Sequence, residues 1–244
     1  MLTNAVMPPA DRLPPPPEVP VRSPTAAVAG EVEVRVPGLP GNPELEARIH
    51  VPAGAKRLVV LCHPHPLYGG SMHSPVPLAI AKILAEKAPS TVGWARFNFR
   101  GVGASAGSYD EGKGEVDDAL TILAHIRRAA PASPTTLCGH SFGSAVALRA
   151  DAADGRVDRV LLISPSARLF DLSDAVKNVS ATTVITIFIG DRDELCDVDD
   201  ARVLAREIGA EIRVFEGNDH HFLKSRRALA EAALPVIAPE VVRP

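Results

Sequence analysis

Beyond residue 30 the chain switches repeatedly between two spacings of apolar residues, and that alternation predicts its architecture. Glu31 to Val36 and Leu45 to Val51 alternate apolar with polar positions, the period of a strand with one buried face. A loop rich in Pro and Gly separates them, so they are expected as an antiparallel pair at a sheet edge. Leu58-Val59-Val60-Leu61-Cys62 is apolar throughout, as a strand buried on both faces requires. Residues 75–87 carry Leu78, Ile80, Ile83 and Leu84 at helical spacing, and Thr91 to Phe99 reads as another strand. Glu115 to Arg127 gathers Val116, Ala119, Leu120, Leu123 and Ile126 on one side of a helix. The pattern continues with a strand at 135–138 followed at once by a helix, strands at 157–163 and 183–189, and a helix from about 198. A strand at 211–215 and a last helix from about 223 complete it. Strands separated by helices predict an α/β fold, with a mostly parallel sheet of about eight strands flanked by helices on both faces. The connection from Ser164 to Thr182 has room for a short helix but no cap domain, so any site above the sheet is expected to be open.

Composition narrows this picture. The 244 residues suit one domain, expected over 29–244, with a full core. Residues 1–28 hold Pro8, Pro9, Pro14 to Pro17, Pro20 and Pro24 and almost nothing to bury, which predicts an extended or disordered tail. A hydrophobic fraction of 46% and a net charge of -3 describe a soluble globular chain and recommend neither nucleic acid nor an anionic membrane as partner. No apolar run reaches bilayer length, and no basic stretch with an apolar run after it suggests a secretory signal near the start. Cys62, Cys138 and Cys196 are an odd, sparse set, expected as buried thiols in a reducing compartment, hence a cytoplasmic address.

Candidate chemistry gathers at strand ends, where a parallel sheet carries its site. Thr135-Thr136-Leu137-Cys138 runs into Gly139-His140-Ser141-Phe142-Gly143 and then an alanine-rich helical pattern. This is G-x-S-x-G in strand–turn–helix context, the arrangement that presents a serine nucleophile on a strained turn. The turn brings the residues two before and two after the serine together, hence Gly139 and Gly143. His63-Pro64-His65-Pro66-Leu67 follows the strand ending at Cys62. Acyl transfer needs two main-chain N–H groups aimed at the oxyanion. Phe142 is expected to supply one and His65 the other, since Pro64 and Pro66 have no N–H; Leu67 is the weaker candidate. A metal site on His63 and His65 is the rival reading, but neither a carboxylate nor a third histidine lies near in sequence.

The loop Gly190-Asp191-Arg192-Asp193-Glu194-Leu195-Cys196-Asp197 offers four acids to orient an imidazole. Asp197 is better explained as a helix N-cap, and Asp191, close to the strand end, is expected only to shape the turn. Asp193 is the choice, with Glu194 and Asp191 as alternates that spacing leaves open. Gly217-Asn218-Asp219-His220-His221-Phe222 follows the last strand, and one of its two histidines is expected to reach Ser141. The order serine, acid, histidine along the chain agrees with this use.

With these motifs in hand, the chain resembles small, capless α/β-hydrolases of the dienelactone-hydrolase-like kind, and more narrowly a bacterial family of hydrolases. The resemblance rests on HPHPLYGGSM (63–72), RFNFRGVGAS (96–105), GHSFG (139–143), GDRDE (190–194) and GNDHHF (217–222), and covers nearly everything after residue 30. It implies that the acid is Asp193 and that the base is the histidine of a G-x-D-H pattern, His220. Two departures stand out: His221 occupies a position that is usually aromatic, and the nucleophile is serine where dienelactone hydrolases use cysteine. Their substrate is therefore not carried over. Arg100 to Ser105 is expected to be a structural loop that shapes the site.

The expectation is a serine hydrolase that cleaves small acyl esters through Ser141, His220 and Asp193, with the N–H groups of His65 and Phe142 as oxyanion hole. A small-molecule acyl substrate is its expected partner, and no cofactor or metal is required. A thioesterase or serine peptidase of the same fold, or a non-catalytic scaffold, are the alternatives.

Overall fold

A computed structural model of the protein describes residues 27–166 and 170–241. The expected proline-rich tail therefore lies, up to residue 26, outside the described residues. Packing begins with Val28, which is buried within the segment expected as tail.

The sheet has eight strands: β1 (Val32–Val36), β2 (Leu45–His50), β3 (Arg57–Cys62), β4 (Val92–Phe97), β5 (Thr135–His140), β6 (Arg159–Ile163), β7 (Val184–Gly190) and β8 (Glu211–Phe215). They lie in the order β1-β2-β4-β3-β5-β6-β7-β8. The β1–β2 and β2–β4 pairings are antiparallel, which makes the first two strands the edge pair that their alternation predicts. Every other pairing is parallel. Helices α1 (Pro75–Lys87), α2 (Gly114–Ala129), α3 (Phe142–Asp154), α4 (Ser173–Asn178), α5 (Val198–Ile208) and α6 (Arg226–Ile237) supply the two outer layers.

Alternation along the central strands sorts the core onto the two faces. Leu58, Val60, Leu137, Leu162 and Ile187 pack with α2, α3 and α5, whereas Val59, Leu61, Cys138, Leu161 and Phe188 pack with α1 and α6. Each such side chain removed from water stabilises the fold by about 1.5–3 kcal/mol. Cys62, Cys138 and Cys196 are buried free thiols, and burial pushes the first two well above the ordinary thiol pKa.

Element ends depart from the apolar pattern where pairing or turn chemistry overrides it. β5 runs on through Gly139 and His140 because it sits mid-sheet, with Gly139 paired to Cys62 and His140 to Ile163. α6 begins at Arg226, after the expected start. Buried Phe222 takes φ +48° and its carbonyl accepts the Ser225 N–H, so residues 222–225 form a turn before the helix.

Between β6 and β7 the described residues hold only the six-residue α4, consistent with an uncapped sheet, while 167–169 lie outside the described residues. The loop after β4 is held as a frame. Arg100 pairs with Asp118 on α2 at 2.8 Å, Ser105 Oγ donates to Asn98 O at 2.7 Å, and Glu46 accepts from Asn98 Nδ2 at 2.7 Å. The Glu31 carboxylate, excluded from solvent, accepts from Arg96 at 2.6 Å and from Trp94 Nε1 at 3.0 Å, fastening the start of the domain to β4. No described helix is long and apolar enough to cross a membrane.

Candidate active site

The turn between β5 and α3 is as tight as its glycines require. A Cβ on Gly139 would lie 2.0 Å from Gly143 O, and one on Gly143 would lie 2.4 Å from Cys62 O and 2.6 Å from His63 O. Side chains are excluded at both positions, and the second absence lets the end of β3 press against the start of α3. Ser141 sits between them with φ +56° and ψ −118°, a conformation costing about 1–3 kcal/mol that the surroundings must enforce. Its N–H donates to Ile163 O at 2.8 Å, and Ser144 Oγ donates to Gly139 O at 2.8 Å, locking the turn to β6.

Of the acids after β7, the structure brings Asp193 to a histidine. Nδ1 of His220 lies 2.8 and 3.0 Å from the two carboxylate oxygens of Asp193, and both side chains are excluded from solvent. Asp193 Oδ1 also accepts the N–H groups of Leu195 and Cys196 at 3.0 and 2.9 Å. Burial works to raise the carboxyl pKa, but the His220 hydrogen bond and charge and these main-chain donors outweigh it and hold the pKa below the ordinary carboxylate value. The Asp193–His220 contact requires Nδ1 to carry a proton, which leaves Nε2 of a neutral ring as an acceptor.

The other acids do other work. Asp191 Oδ1 accepts the N–H of Gly217 at 2.6 Å, Asp197 caps α5 through the Asp199 N–H, and Glu194 Oε2 accepts the His220 N–H at 3.4 Å. His221 is exposed, and its ring stands edge-on to His220 at 5.1 Å.

His140 joins this pair to the turn at Ser141. Its Nε2 lies 2.9 Å from the His220 carbonyl oxygen, and the two rings are 5.3 Å apart. The Ser141 hydroxyl makes no hydrogen bond to either imidazole among the described residues; bonds of this kind commonly close only with substrate in place.

Across the turn, the His63–Gly70 loop folds back on itself, with His65 O accepting from the N–H groups of Tyr68 and Gly70 at 3.1 and 3.0 Å. The Leu67 N–H is spent on His65 Nδ1 at 3.2 Å. The N–H groups of His65 and Phe142 donate to no protein acceptor among the described residues, and the two rings are 5.0 Å apart. Buried Phe142 and half-buried Tyr109 wall this side of the loop. Desolvation lowers the His65 pKa to about 4, so its ring is neutral. Tyr109 Oη lies 3.2 Å from His65 Nε2, and burial foremost raises the phenol to about 12.

His63 is committed to structure. Its Nε2 accepts the Phe99 N–H at 3.1 Å, which leaves Nδ1–H to donate to Pro64 O at 2.6 Å, and burial drives its pKa to about 3. Both ring nitrogens are thus occupied, and the described residues hold no group of three or more His, Cys, Asp or Glu placed to bind a metal. Three contributors escaped the sequence reading: His140, Glu194 as an anchor for the His220 main chain, and Ser164, a buried hydroxyl with φ +49° that faces Asp193. The residue before the serine in G-x-S-x-G is unrestricted in the motif, so nothing in the pattern marked His140.

The chain is similar to known proteins along most of its length. A family model described as serine aminopeptidase, S33 matches residues 53–171, and one described as serine hydrolase matches residues 115–228. An uncharacterized protein of Rickettsia prowazekii is 30% identical over 173 residues, 68% of this chain and 71% of its own. A lidless α/β serine hydrolase from Xanthomonas campestris superposes with TM-score 0.76 at 28% identity, over 89% of this chain and 98% of its own. An α/β serine hydrolase homologue from Coxiella burnetii gives TM-score 0.73 at 28% identity, over 87% and 99% of the two chains. Est1E from Butyrivibrio proteoclasticus, solved with ferulic acid bound, shares the fold at 15% identity with TM-score 0.72, over 87% and 100%. Since the likeness extends through almost the whole length of the Xanthomonas and Coxiella proteins, the strand order and the Ser141 turn have one reading: this chain belongs to the α/β-hydrolase family and is a hydrolase of the α/β class.

Proposed function

We propose that the protein is a serine hydrolase that cleaves small acyl esters through Ser141, His220 and Asp193. The observation that carries this reading is the buried contact of His220 Nδ1 with both oxygens of Asp193, one residue's reach from the strained Ser141 turn through His140. The pair directs Nε2 of His220 to act as base. Ser141 Oγ attacks the ester carbonyl while His220 Nε2 takes its proton, and the ionised Asp193 stabilises the imidazolium. The negative charge on the carbonyl oxygen meets the N–H groups of His65 and Phe142, which have no acceptor among the described residues. Collapse expels the alcohol, protonated by His220, and water activated by the same ring releases the acid and restores Ser141. The absence of any described element over the sheet beyond α4 favours short substrates that need no lid.

The test is labelling with a fluorophosphonate probe together with hydrolysis of p-nitrophenyl acetate. Wild-type protein is expected to label and turn over, and Ser141→Ala to do neither. Unchanged hydrolysis by Ser141→Ala refutes the mechanism, and unlabelled wild-type protein points to a scaffold. The match to a serine aminopeptidase model motivates including peptide amides and acyl-CoA beside acetyl esters. Preference for either of those sinks the ester assignment while leaving the residues in place.

A further inference from the structure

His220 has four hydrogen-bonding atoms, and three are held from three directions. Asp193 holds Nδ1, Glu194 accepts the main-chain N–H, and His140 contacts the carbonyl oxygen at 2.9 Å. Nε2 alone has no hydrogen-bond partner among the described residues, and it is the atom the proposed chemistry uses. We propose that His140 is a positioning residue: its Nε2–H fixes the peptide plane of His220 and so aims Nε2 of the base at Ser141. This inference rests on the reading of His220 as the base.

The chemistry of His140 admits one proton arrangement. A carbonyl oxygen only accepts, so His140 Nε2 must donate. Burial foremost, helped by the neighbouring His220, drives its pKa down to about 3, so the ring is neutral and Nδ1 carries no proton. Nδ1 is buried without a hydrogen-bond partner among the described residues, and the residue lines a small internal cavity together with Val76, Pro77 and Ile80. An orphaned buried acceptor destabilises the fold, a penalty that an apolar side chain of similar size at this position would avoid. Packing alone therefore disfavours histidine here, and the bond to His220 is what it contributes. Thr136, four residues back on the same face of β5, does the same for α6 by donating to Ile237 O at 2.8 Å. The strand that leads into Ser141 thus grips the carboxy-terminal segment at two carbonyls. A neutral His140 also places no positive charge beside His220 as that ring becomes imidazolium.

His140→Leu removes the donor and keeps an apolar side chain; His140→Gln keeps an N–H at about the same reach. In His140→Leu, kcat for p-nitrophenyl acetate is expected to fall about 10- to 100-fold with KM nearly unchanged, because the base is misaimed while the acyl site is intact. Fluorophosphonate labelling of Ser141 should slow by the same factor, and His140→Gln should restore both. A second readout does not depend on turnover: the low-field proton between His220 and Asp193, identified by its loss in Asp193→Ala, should exchange faster with solvent in His140→Leu and at the wild-type rate in His140→Gln. Unchanged kcat and exchange in a folded His140→Leu overturn the proposal, as does an equal loss in Leu and Gln variants, which marks a packing role. A wild-type protein that fails to label refutes the hydrolase reading, while the exchange comparison still decides whether His140 positions residue 220.

Discussion

Gly143→Ala tests the contact on which the two sides of the site depend. The added Cβ would sit 2.4 Å from Cys62 O and 2.6 Å from His63 O, against about 3.4 Å for an ordinary contact, so main-chain atoms must separate by about 1 Å. Neither partner is a flexible side-chain end, and Gly139 allows no retreat because Gly143 O already lies 2.0 Å from its own Cβ position. The displaced atoms are two and three residues before the His65 N–H, and the substituted one directly follows the Phe142 N–H. Donors work at 2.7–3.1 Å from the oxyanion, so a shift of about 1 Å takes one out of use, at roughly 2.7–4 kcal/mol or 10²–10³ in kcat. KM should change little, since the oxyanion does not exist in the ground state. Overpacking costs about 1–3 kcal/mol of stability, partly offset by alanine's better helix propensity of up to about 1 kcal/mol. Melting should therefore drop by no more than about 10 °C and leave a folded protein at 25 °C. Steady-state hydrolysis of p-nitrophenyl acetate beside a thermal melt is the assay. A folded variant with kcat within about threefold of wild type refutes the reasoning.

Three further outcomes follow from the same geometry. Asp193→Asn should lower kcat by about 10⁴, because an amide can donate to Nδ1 and favour the wrong tautomer, whereas His221→Ala should stay within about tenfold; comparable losses would undo the choice of His220. His63 and His140 are buried neutral with folded pKa values of about 3, below the unfolded value of about 6.5. The unfolded chain takes up two more protons as pH falls, so stability is full above pH 6.5 and should decline by about 2–3 kcal/mol per unit between pH 5.5 and 4; urea melts that stay flat there would contradict it. Glu31→Gln removes a carboxylate that meets the fully buried Arg96 guanidinium at 2.6 Å, which should cost about 1–3 kcal/mol and lower the melting temperature by about 2–12 °C in calorimetry, and an unchanged melt would contradict it.

Much of the fold was readable because local patterns and tertiary demands coincide. β3 is apolar at Leu58 to Cys62 and buried throughout, and the Asp197 cap sits where its side chain and the following acids suggested. The boundaries that moved did so for non-local reasons. Gly139 and His140 are strand only because β3 and β6 pair with them from either side, and residues 222–225 are a turn because Phe222 is buried at positive φ. Arg96 looks like a solvated charge until Glu31, far away in sequence, arrives to neutralise it.

Residue types and spacing alone set the α/β layering, the glycine-bracketed turn at Ser141 and the short menu of acids and histidines, since these depend on sterics and periodicity within a few residues. They left Asp193, Glu194 and Asp191 in competition, as well as His220 and His221, because neighbours in a loop differ only in where the backbone points them. Packing of β7 against β8 distinguishes them by environment, bringing Asp193 and His220 together at 2.8 Å while Asp191 serves the Gly217 turn. The service of His140 to His220 lies across 80 residues of chain, where no local pattern reaches.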